Sequence, residues 1–315
     1  MKVSVIGGTG FVGSYIVDRL IAAEHTPRLL VRQGSEGKVV QRDACEIVPG
    51  DIDDSDALKE VMSGARAMIY LPGILREFPS RGITFEAIQY QGFSNALEAA
   101  RDSGIGRIIL MSANGVDAGA TSYQRTKHHA EELLAESDCQ WTVFRPSVIF
   151  GDPRGRMEFC TQLKHQLVDP PIPAAVFFPG LNVLAAGKQE MNPVHVDNVA
   201  QAFVASVDTP ASYGRIFELG GPNRVYWKDI IRTIAWASGR DGKWLLPAPA
   251  WGVRSVAKVF QRFDWFPLTA DQVTLLMQGN IANASEIAGM FKIDLTPFDS
   301  KHLDYLKDPG RAIHG

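Results

Sequence analysis

Short apolar runs alternate with segments of helical apolar spacing through the first half of the chain. The runs predict strands at Lys2–Ile6, Leu29–Val31, Cys45–Val48, Ala67–Leu71, Arg107–Met111 and within Trp141–Phe150. Apolar residues three to four positions apart predict the intervening helices at Phe11–Ala23, Ser55–Met62, Thr84–Ser103 and Ser122–Glu136. Apolar strands that alternate with helices are typical of a parallel sheet covered on both faces. We therefore expect an α/β protein with a doubly wound, mostly parallel sheet of the Rossmann type.

The pattern loosens after Gly151, where proline and glycine become frequent. A strand end and helix at Val194–Val207 and a strand at Arg215–Leu219 predict a return to the large domain. We expect a sheet domain of residues 1–150 plus about 191–220, and a smaller mixed α/β domain of residues 151–190 and 221–315. The longest uncharged stretch, Pro170–Gly187, contains several prolines, which exclude a continuous membrane helix and predict a loop.

Composition narrows the class of protein. The chain of 315 residues is 45% hydrophobic and carries a formal net charge of -3, which argues against a nucleic-acid partner. Its three cysteines are far apart and form no CxxC motif, which favours a reducing compartment. The opening residues contain no signal peptide, so we expect a cytoplasmic protein. No histidine pair has the spacing of metal ligands, and no GxSxG motif of a serine hydrolase occurs.

A glycine-rich segment connects the first predicted strand to the first helix. Its glycines are Gly7, Gly10 and Gly13, in a spacing that allows a sharp turn, close approach of a pyrophosphate, and tight helix–strand packing. Backbone N–H groups and the helix dipole attract phosphate at such a helix start. The segment predicts a dinucleotide site whose candidate residues are Gly7, Thr9, Gly10, Phe11, Val12 and Gly13.

The ends of the next strands supply further cofactor candidates. Arg32 stands at the end of the second strand, where an NAD enzyme usually has an acid. A guanidinium there suits a 2′-phosphate, so NADP(H) is favoured and NAD(H) stays open; the alternative is an exposed arginine without a ligand. Asp51 with Ile52 is a candidate adenine contact, or Asp51 caps the following helix. Leu71 and Pro72 end the fourth strand and complete this set.

A tyrosine and a lysine four residues apart, Tyr123 and Lys127, share one face of a predicted helix. A nearby ammonium favours the phenolate, so the pair suits acid–base chemistry on a carbonyl or an alcohol. Ser112 ends the fifth strand, at the edge where such sheets bind ligands, and is a candidate to hold the substrate oxygen. The alternative is that Tyr123 and Lys127 lie on an exposed helix face.

Together with Arg145, Pro146 and Ser147, these motifs resemble the short-chain dehydrogenase/reductases, in particular the extended and atypical branches that include epimerases and dehydratases. The resemblance covers most of the chain and implies NAD(P) binding, with Pro146 and Ser147 near the nicotinamide. The residues after Ser112 depart from the epimerase pattern, which puts a sugar-nucleotide pocket in doubt.

A narrower similarity is to the nucleotide-binding accessory subunit of mitochondrial complex I and its bacterial relatives. It is carried by Tyr123–Glu131, Arg145–Gly151, Pro193–Asp197, Leu246–Phe260 and Pro267–Val273. This resemblance implies NADP(H) binding and a respiratory or quinone connection. Three functions stay open: an oxidoreductase of unknown substrate, a non-catalytic accessory or assembly protein of a respiratory complex, and a redox-sensing regulator.

The predicted helix Ala250–Phe263 raises the question of a membrane contact. Val253, Val256, Ala257 and Phe260 form an apolar face, with Arg254, Lys258 and Arg262 around it. Such a face fits a membrane surface or a lipid-like substrate. The alternative is that the helix packs its apolar side on its own domain.

Overall fold

The structure is a computed structural model that describes residues 1–261 and 268–307. Its strands are β1 (Lys2–Ile6), β2 (Thr26–Val31), β3 (Glu46–Pro49), β4 (Ala67–Tyr70), β5 (Arg107–Met111), β6 (Gln140–Pro146), β7 (Ile149–Phe150), β8 (Ala174–Phe178), β9 (Glu190–Met191), β10 (Val194–His195), β11 (Arg215–Leu219), β12 (Val225–Tyr226) and β13 (Leu245–Pro249). Its α-helices are α1 (Phe11–Ala22), α2 (Ser55–Met62), α3 (Gly92–Asp102), α4 (Ser122–Ala135), α5 (Phe159–Leu163), α6 (Val196–Val207), α7 (Trp227–Ala237), α8 (Ala250–Phe260), α9 (Ala270–Gln278) and α10 (Ser285–Phe291).

The chain forms two compact units. Unit 1 contains residues Met1–Pro146, Val196–Leu219 and Ser285–Asp294, and unit 2 contains the remainder. The segment Ser285–Asp294 therefore clusters with the sheet, although the sequence placed it in the smaller domain.

Unit 1 is built on a parallel sheet with the strand order β11-β6-β5-β4-β1-β2-β3. The order from β6 to β3 is that of a Rossmann fold, and the predicted fold class is confirmed. Helices α2, α3 and α4 cover one face around a fully buried core that includes Tyr70 and Phe93. On the other face α1 packs against α6, and Phe144 contacts the rings of Phe203, Phe217 and Phe291.

Among the residues that the structure describes, unit 2 contains three two-stranded sheets and a core around α7. The pairs β8–β13 and β7–β10 are parallel, and β9–β12 is antiparallel. Ile230, Ile231 and Ile234 of α7 are fully buried in its core. The predicted loop Pro170–Gly187 is wrong in part, because its apolar centre forms β8 and pairs with β13.

The single helix predicted at Thr84–Ser103 is also wrong in detail. Residues Glu86–Gln91 form a π-helix, and only then does α3 begin. The Tyr70 hydroxyl donates to the Ile88 carbonyl at 2.8 Å. A side chain that takes a carbonyl in this way favours a wider helical turn. The helix predicted at Ala250–Phe263 ends at Phe260, and Arg262, Phe263 and Pro267 lie outside the described residues.

Candidate functional site

The glycine-rich turn between β1 and α1 has a geometry that only glycine allows. Gly7 has a φ of +90°, and a Cβ on Gly13 would lie 2.2 Å from the Gly7 carbonyl oxygen. The Gly10 N–H donates to the same oxygen at 3.0 Å, which closes the turn. The helix can therefore start directly against the strand end, as a dinucleotide fold requires.

The N-terminus of α1 leaves donors free for an anion. Gly10 precedes the helix without a side-chain cap, and the first turn contains no acid. The N–H groups of Phe11, Val12 and Gly13 have no acceptor within a helix that starts there. Together with the helix dipole, these groups fit a pyrophosphate. The donor set of the turn thus fits the dinucleotide that the sequence predicts.

Arg32 follows β2 and lines a pocket formed by the residues after β2 and at the end of β3. The pocket has a volume of about 720 Å³ and is lined by Arg32, Gln33, Ser35, Glu36, Pro49, Gly50 and Asp51. The Arg32 side chain is exposed and forms no ion pair with any residue that the structure describes. Sequence reasoning missed Ser35 and Glu36, although the Gly34–Ser35 turn directly after β2 was a usable signal. The lining of the pocket therefore includes one cation, Arg32, the two acids Glu36 and Asp51, and the hydroxyl of Ser35.

Asp51 and Ile52 are neighbours in sequence but have different environments. Asp51 is exposed and lines the pocket, whereas Ile52 packs against the core below α3. The alternative that Asp51 caps α2 is wrong, because the Asp54 carboxylate accepts from the N–H groups of Asp56 and Ala57. Asp51 is thereby left at the pocket with its side chain directed to its neighbour, the N–H of Ile52, at 2.8 Å.

Leu71 and Pro72, which follow β4, pack against the glycine-rich turn. A Cβ on Gly7 would lie 3.2 Å from the Leu71 Cβ and 3.3 Å from the Pro72 Cδ. The end of β4 therefore touches the turn itself, at the point between β1 and β4 where the strand order reverses. Ligands bind at this switch point in open α/β sheets.

Ser112 directly follows β5 at the same sheet edge. Its side chain is only 3% exposed, and its hydroxyl finds no hydrogen-bond partner among the described residues. Its N–H donates to the Phe144 carbonyl at 2.8 Å, so the backbone is fixed. A buried hydroxyl without a partner costs free energy, and this cost is offset when a ligand oxygen or nitrogen pairs with it.

Lys127 projects from α4 to the ends of β4 and β5. Its ammonium donates to the carbonyls of Met111 at 2.8 Å and Pro72 at 3.3 Å. Burial lowers the pKa of Lys127 to about 8, although Glu131 partly opposes the shift. The exposed-face alternative is wrong for Lys127, whose side chain is buried beside Met111 and Pro72.

Tyr123 lies one turn before Lys127 and packs its ring edge-on against Phe85, with centroids 5.7 Å apart. Burial raises the pKa of Tyr123 to about 12. The phenol is therefore protonated at neutral pH. Tyr123 and Lys127 lie on the same helix, which begins with a capping box of Thr121 and Gln124.

Gln89 of the π-helix connects α4 to the loop after β4. Its side-chain oxygen accepts from the Thr126 hydroxyl at 2.8 Å, and its amide donates to the Ile74 carbonyl at 3.0 Å. Sequence reasoning missed Gln89 and Phe85, because neither belongs to a motif. Both contact α4 within one turn of its two candidate residues, and they fix the position of the helix.

Arg145, Pro146 and Ser147 fall on both sides of the unit boundary. Arg145 pairs with the buried Glu131 and with Asp117. Burial lowers the pKa of Arg145, but the two carboxylates outweigh it and raise the pKa overall. Pro146 ends β6, and its carbonyl accepts from the Asn114 N–H at 2.9 Å. Ser147 belongs to unit 2, where its hydroxyl donates to the Asn192 carbonyl at 2.6 Å.

The chain matches a family model described as NAD(P)H-binding over residues 7–175. It is 30% identical to NADH dehydrogenase (ubiquinone) 1 alpha subcomplex subunit 9, mitochondrial, of Arabidopsis thaliana, over 70% of this chain. The alignment spans 54% of that plant protein, so the chain matches about half of its length. It is 27% identical to a ceramide reductase of Caulobacter vibrioides, over 78% of this chain and 74% of the relative.

A similar solved structure is that of UDP-glucuronic acid 4-epimerase from Bacillus cereus in complex with UDP-glucuronic acid and NAD. The TM-score is 0.72 at 18% identity, and the match covers 97% of this chain and 98% of the epimerase. At this identity the likeness shows a shared fold. Within residues 1–261 and 268–307, no helix has the length and apolar character needed to cross a membrane.

Proposed function

The chain belongs to the NAD(P)H-binding family, and on this premise we propose that it is an oxidoreductase. It uses NADP(H) to reduce a carbonyl group or to oxidise a secondary alcohol. The buried, unpartnered hydroxyl of Ser112 carries this proposal, because the oxygen of a carbonyl or alcohol would satisfy it. The nicotinamide, when bound, supplies or accepts the hydride.

Tyr123 is the proposed acid–base residue. Because its pKa of about 12 keeps the phenol protonated, it is prepared to give a proton to the oxygen of a carbonyl during reduction. In the oxidative direction Tyr123 must first lose that proton, and the ammonium of Lys127 favours the phenolate that results. Ser112 donates to the same substrate oxygen and holds it in place.

Lys127 is the proposed positioning residue of the cofactor ribose. The carbonyls of Pro72 and Met111 fix its ammonium at the ends of β4 and β5. An ammonium has three donors, so one is left for a ribose hydroxyl. The same charge lies on the α4 face that carries Tyr123.

The similarity to a ceramide reductase supports a lipid-like carbonyl substrate. We would assay NADPH oxidation with a panel of long-chain ketones in the wild type, Ser112→Ala and Tyr123→Phe. We expect Tyr123→Phe to lower kcat by at least about 100-fold, the usual contribution of a general acid. Tyr90→Phe, a half-buried tyrosine on the adjacent π-helix, is the matched control. Unchanged turnover in Tyr123→Phe removes its assignment.

Arg32 is the proposed selector of NADP(H). A charge-assisted hydrogen bond contributes about 1.5–3 kcal/mol, so Arg32→Ala should weaken NADPH binding roughly 10- to 100-fold and leave NADH binding nearly unchanged. Glu36 lines the same pocket, and Glu36→Gln should strengthen NADPH binding because it removes a repelling charge. Nicotinamide fluorescence titration measures both. If Arg32→Ala leaves NADPH binding unchanged and Glu36→Gln weakens NADH binding, the site prefers NAD(H).

A non-catalytic role in a respiratory complex is the second proposed function. The 30% identity to the mitochondrial subunit of Arabidopsis thaliana favours it. NADP(H) would then be a structural ligand, and Tyr123→Phe would leave the cellular role intact. Co-purification of the tagged chain with respiratory subunits supports this role, and loss of that association in Gly13→Ala would connect it to the dinucleotide. The third function, a redox-sensing regulator, has less support, because a sensor does not need Tyr123 and Lys127.

A further inference from the structure

Two polar side chains of unit 2 are buried without a partner. The indole N–H of Trp227 and the side-chain oxygen of Gln189 find no hydrogen-bond partner among residues 1–261 and 268–307. Trp227 is 5% exposed and Gln189 is 8% exposed. Buried polar groups in folded proteins are nearly always paired, and an unpaired one costs free energy. Each of the two groups is therefore free to pair with a ligand.

The strand pair β9–β12 brings these two residues together. Its register pairs Tyr226 with Glu190. One position further, the Trp227 N–H donates to the Gln189 carbonyl at 2.9 Å. Residues directly opposite each other in an antiparallel pair carry their side chains on the same face, with Cβ atoms about 5 Å apart. The burial agrees, because Tyr226 and Glu190 are exposed while their neighbours Trp227 and Gln189 are buried. The two unpaired groups thus belong to adjacent side chains that face the core of unit 2.

A hydrogen bond to β8 fixes the orientation of the Gln189 amide. Its nitrogen donates to the Phe177 carbonyl at 3.2 Å, so the unpaired end is the oxygen, which is an acceptor. The Trp227 indole has only a donor. The surroundings are apolar, because Trp227 and Met191 belong to the core of unit 2 and the Phe159 ring lies 6.3 Å from the Trp227 ring. The pair therefore offers one donor and one acceptor beside apolar side chains.

We propose that Gln189 and Trp227 bind the hydroxyl group of an apolar ligand. A hydroxyl oxygen accepts from the indole N–H while its hydrogen is donated to the Gln189 oxygen, so one group satisfies both. A trans amide fits less well, because its N–H and C=O point in opposite directions. An ion fits poorly, because neither side chain carries a charge that offsets its desolvation. Phe159 and Val225 beside the pair are only half-buried, so the pair lies close to solvent on that side.

The proposal goes beyond the oxidoreductase function and does not depend on the dinucleotide, whose candidate site lies in unit 1. Its test is equilibrium dialysis of the full chain with radiolabelled octanol, octyl methyl ether and octane. The three probes share one alkyl chain, but the alcohol donates and accepts, the ether only accepts, and octane does neither. Each probe thus reports on a different part of the pair.

Each variant should affect a different set of probes. Gln189→Met removes the acceptor, so octanol should bind roughly 5- to 150-fold more weakly while ether and octane binding stay unchanged. Trp227→Phe removes the donor, so octanol and the ether should both bind more weakly by a similar factor, relative to octane. A side chain that only supports the fold would change the binding of all three probes alike.

Gln278→Met and Trp236→Phe are the matched controls. Gln278 ends α9 and Trp236 lies on α7, and both are exposed residues of unit 2. Both controls should bind the three probes like the wild type.

Unfolding of the ligand-free chain separates a ligand site from a structural pair. Gln189→Met removes the unpaired oxygen, and the Phe177 carbonyl keeps the Gly187 N–H as a donor at 2.9 Å. The urea midpoint of this variant should therefore equal or exceed that of the wild type.

Three results would overturn the proposal. The first is a wild-type chain that does not bind octanol. The second is equal octanol binding by the wild type and Gln189→Met. The third is a urea midpoint of Gln189→Met clearly below that of the wild type, because Gln189 would then have a partner, such as a buried water molecule, in the ligand-free protein.

Discussion

Replacing Gly13 by alanine tests the dinucleotide turn most directly. The new Cβ would lie 2.2 Å from the Gly7 carbonyl oxygen and 2.8 Å from the Gly8 Cα. Real Cβ atoms essentially never come closer than 3.0 Å, so the backbone must separate by at least about 0.8 Å. Both clashing atoms are main chain and cannot rotate away. Overpacking of this kind costs about 1–3 kcal/mol of folding free energy.

The larger effect should fall on cofactor binding. A shift of the turn moves the N–H groups at the start of α1 away from the pyrophosphate. Each hydrogen bond to a charged group contributes about 1.5–3 kcal/mol, so losing one or two should weaken NADPH binding by roughly 10- to 10,000-fold. Nicotinamide fluorescence titration measures the affinity, and urea unfolding measures the stability.

Gly289→Ala is the matched control. Gly289 lies within α10 of the same unit, and a Cβ there would meet no atom within 4 Å. Alanine in a helix interior should stabilise unit 1 by roughly 0.5–1 kcal/mol and leave NADPH binding unchanged. Wild-type NADPH affinity in Gly13→Ala would refute the proposed pyrophosphate site, whatever its effect on stability.

Two further predictions concern charges around α4. The Lys127 ammonium has a pKa of about 8, so it is charged below that pH and neutral above it. We therefore expect kcat/KM for NADPH-dependent reduction to fall as the pH rises through about 8. Lys127→Arg should remove this fall, because a guanidinium stays charged. The unfolded chain holds this proton up to about pH 10.5, so the contribution of Lys127 to the free energy of unfolding should rise from about pH 8 to 10.5, and urea midpoints in Lys127→Met should lack this rise. Glu131→Gln should cost about 3–5 kcal/mol in urea unfolding, because it leaves Arg145 buried with one partner fewer. Asp117→Asn, at the exposed partner, should cost below about 1 kcal/mol, and equal costs would contradict the assigned burial.

The sequence predicted the sheet domain well because its signals are local. Apolar strands that alternate with amphipathic helices identify parallel βαβ units from short windows. Gly7, Gly10 and Gly13 placed the turn correctly between β1 and α1, and Arg32 was correctly placed at the end of β2. The similarity to short-chain dehydrogenases is confirmed by the NAD(P)H-binding match. These features depend on neighbours along the chain.

Features that depend on distant residues escaped prediction. The strand β8 lies between Pro173 and Pro179, and it pairs with β13, which is about 70 residues further along the chain. The π-helix receives a hydrogen bond from Tyr70 of β4, and Gln89 forms its hydrogen bonds with Thr126 and Ile74, which are distant in sequence. Phe85 reaches Tyr123 only in the folded chain. The roles of Ser112, Tyr123 and Lys127 stay predictions, because a lone hydroxyl and two shifted pKa values do not identify a substrate.

Unit 1 is formed by three segments that are far apart in the sequence, and this affects how it folds during synthesis. The strand β6 is completed at Pro146, but its outer neighbour β11 begins only at Arg215. Ribosomes add about 5–20 residues per second, so the edge of β6 stays open for several seconds in the nascent protein. During that time Phe144 also lacks Phe203, Phe217 and Phe291. We expect a chaperone to bind the nascent chain at the ribosome exit during this time. A fragment that ends near residue 150 should aggregate through the unpaired edge of β6.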